Sequence, residues 1–353
     1  MAKRSLASMW TKSFERSLAV WAREGLRHGR QQMGQAAKAT TKAVAAKRQP
    51  PPGPGDWLPG VAVGLAGLLR FHLYRPPDVG HAERLPLMVM LHGCGQDAKG
   101  FAISTRMNRL AARERFLVLY PEQDRVANPH GCWNWFDTRN GRAYSEAALI
   151  LKAIDQVCLL YPADAARVAV SGLSAGASMA ALLATRYPAR FKAVVMHSGV
   201  PPGAADSTAS ALRAMRGRRP LPALTATHAL PPLMLIHGEH DTVVSSRNAQ
   251  LGASLWADAA GAQASAPRRV QRGQRHGMTV TDYKRRGEPV ARLVEVDTLG
   301  HAWSGGAARK PYSDSRGPDA SSMAWSFAAS QFQREPPVAA AALAARGWPW
   351  PAA

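Results

Sequence analysis

The chain has 353 residues, 46% of them hydrophobic, and its 45 Lys and Arg against 24 Asp and Glu give a formal net charge of +21. This length and hydrophobic content fit one full α/β domain with appendages, and three cysteines exclude a disulfide framework. No apolar run is long enough to cross a membrane and no nucleic-acid-binding motif accompanies the basic runs, so neither a membrane span nor a nucleic-acid partner is expected.

The first 49 residues differ in character from the rest of the chain. Met1 to Arg48 holds eleven Lys and Arg against two Glu, and large apolar residues recur there at helical spacing. These residues are Leu6, Trp10, Phe14, Leu18 and Trp21. The pattern predicts a basic amphipathic helix over 1–49 that can lie on an anionic surface. The alternatives are a helix docked on its own domain or on a partner, and a disordered tail.

A Pro/Gly-rich run begins at Pro50 and predicts a linker over 50–67. From there, strand-like and helix-like segments alternate, which predicts an α/β domain with a mostly parallel central sheet and helices on both faces. We assign 68–335 to this domain and 336–353 to a C-terminal tail.

Five helices and two further strands are predicted inside the domain. The helices are Gly100–Arg115, Ser145–Leu160, Ala175–Tyr187, Ser246–Ala259 and Ala320–Gln333, and the strands are Phe116–Tyr120 and Phe191–His197. The stretch 204–228 is polar and basic, and it is predicted to be a helical or flexible lid.

The segment Gly172–Gly176 has the pattern Gly-x-Ser-x-Gly between a strand-like run and a helix-like run. In this setting the pattern is the nucleophile elbow of an α/β-hydrolase, with Ser174 as the nucleophile. Glycines flank the serine because the turn is too tight for a Cβ, and the helix N-terminus beneath it favours a developing negative charge. The alternative is a small-residue turn in which Ser174 only caps the helix.

The acid and the base follow in the order that this fold requires. An apolar run ending at Gly238 delivers Asp241, the predicted acid, and Glu239, its competitor. Alternatively, Asp241 only caps the helix that starts near Ser245. His301 follows a late strand in a Gly-His-Ala-Trp turn and is the predicted base. Four other histidines lie at strand ends and could line the site: His92, His197, His237 and His240.

The oxyanion hole is predicted from two backbone N–H groups. An apolar strand ends in His92–Gln96, the loop that supplies one donor in this fold, and the residue after the nucleophile supplies the other. We therefore assign the N–H groups of Cys94 and Ala175. The alternative is an ordinary glycine-rich strand exit.

Three tryptophans lie in loops rather than in periodic segments: Trp133, Trp135 and Trp303. Rigid indoles near a catalytic serine suit an apolar chain or an aromatic acyl group, so they are candidate substrate-binding residues. We expect one of the three to contact substrate; the alternative is that they fill the core under a loop.

Five segments carry a family resemblance: His92–Gln96, Cys132–Phe136, Gly172–Gly176, His237–Asp241 and Gly300–Gly306. In this order they resemble the poly(3-hydroxybutyrate) depolymerase family esterases, which are related to feruloyl and acetylxylan esterases. The resemblance covers about Leu68 to Phe332 and implies a serine esterase. The implied substrates are short hydroxyalkanoate esters or the acyl groups of plant polysaccharides.

The resemblance also supports a disulfide between Cys94 and Cys132, which would need an oxidising compartment. The alternative is three reduced thiols, with Cys158 buried on a helix over Glu146–Leu160. No Cys/His spacing suggests a metal, and the predicted chemistry requires no cofactor.

The segment 1–49 is not predicted to be a secretory signal, because Arg16, Arg23 and Glu24 interrupt it. A cytoplasmic or granule-associated location is therefore favoured, although relatives of the resembled family are often extracellular. For a polyester hydrolase, the surface of a storage granule is an attractive target for the basic helix.

Three functions stay open at this point. The first is hydrolysis of poly(3-hydroxybutyrate) or short hydroxyalkanoate esters through a Ser-His-Asp triad and an acyl-enzyme. The second is a feruloyl or acetylxylan esterase acting on plant polysaccharide. The third is a granule-binding scaffold in which catalysis is secondary.

Overall fold

The structure, a computed structural model, describes residues 50–51, 53–80, 82–218, 221–224 and 229–334. The chain divides into two compact units, Met1–Pro50 and Pro51–Ala353, and the second contains the fold. The predictions of an amphipathic helix over 1–49 and of a tail over 336–353 lie outside the described residues, so they stay predictions.

Eleven strands within the described ranges form one sheet. They are β1 (Asp56–Gly64), β2 (Gly67–Arg75), β3 (Leu85–Leu91), β4 (Leu117–Glu122), β5 (Ala163–Leu173), β6 (Ala193–His197), β7 (Leu233–Gly238), β8 (Gln263–Ala264), β9 (Arg268–Val270), β10 (Met278–Arg285) and β11 (Glu288–Val296). The order is β1-β2-β4-β3-β5-β6-β7-β11-β10-β8, and β9 also pairs with β10. The strands from β4 to β11 in this order are parallel. The strands outside this block pair antiparallel.

Helices cover both faces of the sheet. They are α1 (Ala98–Thr105), α2 (Met107–Glu114), α3 (Arg142–Leu160), α4 (Ala175–Arg186), α5 (Thr208–Met215), α6 (Arg247–Ala260) and α7 (Ala320–Phe332). Helices α3, α4 and α6 pack with Leu87 and Val89 of β3, whereas α1, α2 and α7 pack with Met88 and Met90. All seven residues of β3 are buried, as expected of a parallel strand covered on both sides. The predicted α/β architecture is confirmed.

None of the helices in the described ranges combines the length and the apolarity that crossing a membrane requires.

The predicted helix over Gly100–Arg115 is wrong as a single element, because α1 and α2 are separate. Arg106, between them, has a left-handed backbone with φ 56°, a conformation that ends helices. Its guanidinium donates to the carbonyl of Gly305, 199 residues away. The helical pattern of the sequence continues through the break, and the partner that holds Arg106 is distant in the chain.

The predicted linker over 50–67 is wrong in its second half, which is strand β1. This strand pairs antiparallel with β2 along its whole length. Gly60 allows the pairing, since a Cβ at this position would lie 2.2 Å from the ring of Phe71 on β2. The domain therefore begins at about Asp56, where the Pro/Gly run has ended.

Part of the predicted lid over 204–228 is helix α5; residues 219–220 and 225–228 lie outside the described ranges. A capping box between Ser207 and Ser210 starts this helix. Its alanines pack in a small apolar cluster with Val244. Helix α5 thus rests on the loop after β7, and movement as a lid stays a prediction.

Candidate active site

The turn between β5 and α4 holds Ser174 in a strained backbone conformation, with φ 56° and ψ −118°. A positive φ is costly for a residue with a Cβ, and such strain persists where the surrounding structure enforces it. Here the Ser174 N–H donates to the carbonyl of His197 at the end of β6, at 2.9 Å. The turn is therefore held by the neighbouring strand.

The two glycines of this turn are required by close backbone contact. A Cβ on Gly172 would lie 2.3 Å from the carbonyl carbon of Gly176, and a Cβ on Gly176 would lie 2.1 Å from the carbonyl oxygen of Leu91. Real Cβ atoms do not approach backbone so closely. The start of α4 is consequently pressed against the end of β3.

The loop after β3 lies beside the serine, because a Cβ on Gly93 would be 3.6 Å from the Cβ of Ser174. Within the loop, the Gly93 N–H donates to Oε1 of Gln96 at 3.0 Å, and the Gly95 N–H donates to the carbonyl of His130 at 2.9 Å. Between them, the Cys94 N–H donates to no other residue in the described part of the chain. The structure thus brings this loop and the nucleophile turn together.

Cys94 and Cys132 form a disulfide, with their Cα atoms 4.3 Å apart. The bond ties the loop after β3 to the loop that carries Trp133 and Trp135. Cys158 on α3 is the remaining thiol and is half-buried, and burial raises its pKa to about 11.

A buried carboxylate, which the sequence reasoning missed, holds the loop that contains Cys132 and Asn134. Glu146 on α3 accepts the backbone N–H of Asn134 at 2.8 Å and the side-chain N–H of Gln123 at 2.7 Å. Gln123 also donates to the carbonyl of Cys132 at 3.1 Å. Burial raises the pKa of Glu146, although the hydrogen bonds from Asn134 and Gln123 oppose that effect. A lone Glu in a helical pattern gives no sign of this role.

The structure corrects the substrate-binding prediction for Trp133 and Trp303, because both indoles are fully buried. Trp133 donates to the carbonyl of His92 at 3.1 Å, and Trp303 donates to the Ser321 hydroxyl at 3.1 Å. Both are core residues with satisfied N–H groups, as buried tryptophans usually are. Trp135 is half-buried, and its ring meets that of Phe136 edge-on with the centroids 5.6 Å apart. It is therefore the one of the three tryptophans whose side chain is accessible to a substrate.

Asp241 and His301 meet directly. Nδ1 of His301 lies 2.8 Å from Oδ2 of Asp241. The other oxygen, Oδ1, accepts the N–H groups of Val243 and Val244, each at 2.9 Å. Nε2 of His237 also lies 3.3 Å from Oδ2. The competitor Glu239 is exposed at the same turn.

The Asp241 carboxylate is ionised across the ordinary pH range. Burial raises its pKa, but the hydrogen bonds from His237 and His301 outweigh burial and hold the pKa well below its usual value. Hydrogen bonds to the charged form of a carboxyl have this effect. The pair therefore consists of a fixed carboxylate and an imidazole whose Nδ1 faces it.

His197, His92 and His240, the remaining histidines at strand ends, do not contact the Asp241 carboxylate in the hydrogen bonds of the described residues. Nε2 of His197 accepts the N–H of Ser304 at 3.1 Å, and burial lowers its pKa to about 3, so its ring is neutral. Nε2 of His92 accepts the N–H of Gln123 at 3.1 Å, and burial lowers its pKa too. His240 is exposed. In the described ranges, no group of three or more His, Cys, Asp or Glu could hold a metal ion.

The sequence family described as Esterase PHB depolymerase matches residues 69–276. The chain belongs to this family. Its match begins at the second strand of the sheet and includes the nucleophile turn and Asp241, whereas His301 lies beyond it.

Curated relatives of this esterase-family chain match over part of its length. The poly(3-hydroxyalkanoate) depolymerase C of Paucimonas lemoignei is 34% identical over 144 residues, which cover 40% of this chain and 34% of that protein. Feruloyl esterase B of Neurospora crassa is 28% identical over 217 residues, covering 56% and 72%. Acetylxylan esterase A of Emericella nidulans is 32% identical over 144 residues, covering 40% and 45%. The chain thus spans about a third of the depolymerase and under half of the acetylxylan esterase.

Solved structures show the fold. An acetyl xylan esterase from Aspergillus awamori superposes with a TM-score of 0.57 at 21% identity, covering 70% of this chain and 94% of that one. A prolyl endopeptidase superposes with a TM-score of 0.51 at 13% identity, covering 78% and 38%. The predicted α/β-hydrolase fold is confirmed, and in this family member Ser174, Asp241 and His301 follow the ends of β5, β7 and β11.

Removing the disulfide is expected to destabilise the fold. The bond closes a loop between residues 38 apart in sequence, so the Cys94→Ser/Cys132→Ser double variant should lose about 2–4 kcal/mol of unfolding free energy. Urea unfolding measures this loss. Cys158→Ser is the control and should change stability by less than about 1 kcal/mol; equal losses in the two variants would contradict the assigned role of the bond.

The Asp241 carboxylate predicts a defined pH dependence of stability. Its folded-state pKa is depressed, so its contribution is complete above the unfolded pKa of about 4 and is lost as pH falls towards the folded value. In urea unfolding, the stability difference between wild type and Asp241→Asn should therefore be larger at pH 7 than at pH 3, by about 1.3 kcal/mol. A difference that does not change with pH would show that the carboxylate charge contributes nothing.

Proposed function

We propose that this chain is a serine esterase with the triad Ser174, His301 and Asp241. The Ser174 hydroxyl attacks the ester carbonyl carbon while His301 takes its proton, and the alcohol leaves after receiving that proton. Water then attacks the acyl-enzyme with the same base and releases the acid. The N–H groups of Cys94 and Ala175 stabilise the oxyanion in both steps.

One observation carries the proposal: the strained Ser174 turn and the hydrogen-bonded Asp241–His301 pair are joined through the end of β6. The carbonyl of His197 accepts the N–H of Ser174 at 2.9 Å. The ring of the same histidine accepts the N–H of Ser304, three residues after His301, at 3.1 Å. His197 therefore ties the nucleophile turn to the loop of the base.

The protonation states fit a general base. Asp241 is ionised and can only accept, so the proton of the neutral His301 ring lies on Nδ1 and Nε2 is its basic nitrogen. The carboxylate then stabilises the imidazolium that forms when the ring takes the serine proton.

One oxyanion donor follows from the position of Ala175. It is the first residue of α4, where the backbone N–H has no partner within the helix and is available to an oxyanion.

We propose short hydroxyalkanoate esters, including oligomers of 3-hydroxybutyrate, as the substrate class. Membership of the depolymerase family and the likeness to depolymerase C support this class. The half-buried Trp135 and its neighbour Phe136 pack against the same small apolar cluster as Val243 of the acid loop, which gives a candidate apolar wall. Acetylated or feruloylated polysaccharide is the second candidate, favoured by the match to 72% of feruloyl esterase B.

The nucleophile is tested with two serines of the same segment. Ser174→Ala should lower kcat for p-nitrophenyl butyrate by at least about 10⁴-fold, because no other group can form the acyl-enzyme. Ser171→Ala is the matched control: its hydroxyl is buried on β5 without a hydrogen bond in the described chain, and its removal should leave kcat unchanged. Equal rates for wild type and Ser174→Ala would eliminate the mechanism.

The substrate class is tested with a panel of esters and two Trp135 variants. Wild type should hydrolyse 3-hydroxybutyrate oligomers faster than acetylxylan or feruloylated xylan. Trp135→Ala should raise KM for the oligomers about tenfold, equivalent to roughly 1.4 kcal/mol of lost contact, with little effect on p-nitrophenyl acetate. For Trp135→Phe, which keeps an aromatic ring, KM for the oligomers should lie between the values of wild type and Trp135→Ala. Faster hydrolysis of either xylan would favour the second candidate, and equal KM changes for all esters would exclude a contact with the acyl chain.

A further inference from the structure

The carboxylate of Asp241 has a second imidazole partner that the proposed mechanism does not use. His237 lies near the end of β7, four residues before Asp241, and its side chain is 1% exposed. Nε2 of His237 is 3.3 Å from Oδ2 of Asp241, the oxygen that also faces His301. One carboxylate oxygen is therefore shared by two histidines.

The protonation of His237 follows from its other contact. The same Nε2 lies 2.8 Å from the carbonyl oxygen of Val244. A carbonyl oxygen only accepts, so Nε2 must carry a proton. That N–H is directed at the Val244 carbonyl, and the Asp241 carboxylate lies beside it at the longer distance of 3.3 Å.

These contacts close a ring around the acid. The Val244 N–H donates to Oδ1 of Asp241, the Val244 carbonyl accepts from His237, and His237 reaches Oδ2 of the same carboxylate. Strand β7 is central in the sheet, so its end is a rigid support for this ring. Both oxygens of the carboxylate therefore have a contact other than His301.

We infer that His237 is a positioning residue for Asp241, orienting the carboxylate towards His301 and sharing its negative charge. This inference rests on the proposed esterase function. His237 touches neither the nucleophile turn nor the candidate substrate wall in any contact described above, so its influence on the reaction passes through Asp241.

The shared charge has a measurable consequence for His301. An N–H 3.3 Å from Oδ2 stabilises the carboxylate and weakens its attraction for a protonated His301 ring. Without that N–H, the carboxylate attracts the imidazolium of His301 more strongly. A histidine that only filled space would not change this attraction.

Two other titratable groups lie near His237, and each has its own environment. His197 on β6 is held neutral by burial. Glu295, the β11 residue opposite His237 in register, accepts the Gln250 amide at 2.8 Å. The carboxylate of Asp241 is the anion that the His237 N–H reaches.

Two substitutions separate positioning from packing. His237→Phe keeps a planar ring and removes the N–H, whereas His237→Gln keeps a side-chain N–H donor. With p-nitrophenyl butyrate, His237→Phe should lower kcat about tenfold, change KM little, and move the acid limb of kcat/KM to higher pH by roughly 0.5–1 unit. In His237→Gln, the acid limb of the kcat/KM profile should lie at the same pH as in wild type. An unmoved limb in His237→Phe, or the same profile in both variants, would overturn the inference.

A second measurement does not depend on activity. Long-range ¹H–¹⁵N NMR of the wild-type chain reports the protonation of each ring nitrogen, with His237 assigned by the loss of its signals in His237→Gln. Nε2 of His237 should be protonated at neutral pH; an unprotonated Nε2 would refute the inference. If Ser174→Ala retains esterase activity, the proposed function fails, and this spectrum still tests whether His237 has the N–H that its contact with Asp241 requires.

Discussion

The close backbone contact at the nucleophile turn is the constraint on which the site depends. Gly176 lies where a Cβ would be 2.1 Å from the carbonyl oxygen of Leu91, so the helix after the serine begins directly against the end of β3. That contact brings the loop containing Cys94 beside Ser174, and it leaves the first N–H groups of α4 at the same edge. The positive φ of Ser174 follows from the same tight path, since the chain must reverse within a few residues.

Two buried carboxylates hold the loops around this turn, and their electrostatics differ. At Asp241, hydrogen bonds from two histidines outweigh burial, so the group is a fixed anion suited to orienting His301. At Glu146, burial outweighs hydrogen bonds from Asn134 and Gln123, and its pKa is raised. The donors at Glu146 come from loops 12 and 23 residues away in sequence. Those at Asp241 lie within four residues, except His301, which is 60 residues away. The disulfide from Cys94 to Cys132 adds a covalent restraint on the loop that Glu146 holds. The geometry that the proposed ester hydrolysis needs therefore has several supports, and we infer that His237 is one of them.

In the proposed function, substrate selection depends on fewer residues than the reaction chemistry. Two of the three loop tryptophans belong to the core, and their N–H groups are used to fix the loops. Trp135 and Phe136 pack against a small apolar cluster that includes Val244 and two alanines of α5, and Trp135 also packs against one of the main cores. The proposed triad could be kept while this wall around the acyl group changes. Relatives named for polyester, feruloyl and acetylxylan esters are consistent with such variation.

The sequence alone determined the α/β class, the glycine-flanked turn at Ser174, and the chain order of Asp241 and His301, because these features depend on local patterns: strand and helix periodicity, and a turn too tight for side chains. It could not reveal that Asp56–Gly64 is a strand of the sheet, that Arg106 breaks a helix, or that Trp133 and Trp303 are buried. The break at Arg106 and the burial of the two tryptophans depend on partners distant in the chain, such as Gly305 for Arg106, and β1 depends on its pairing with β2. The second imidazole at Asp241 was also decided only by the tertiary structure. His237 and Asp241 are four residues apart in sequence, but the 3.3 Å between Nε2 and Oδ2 depends on how the chain turns at the packed end of β7.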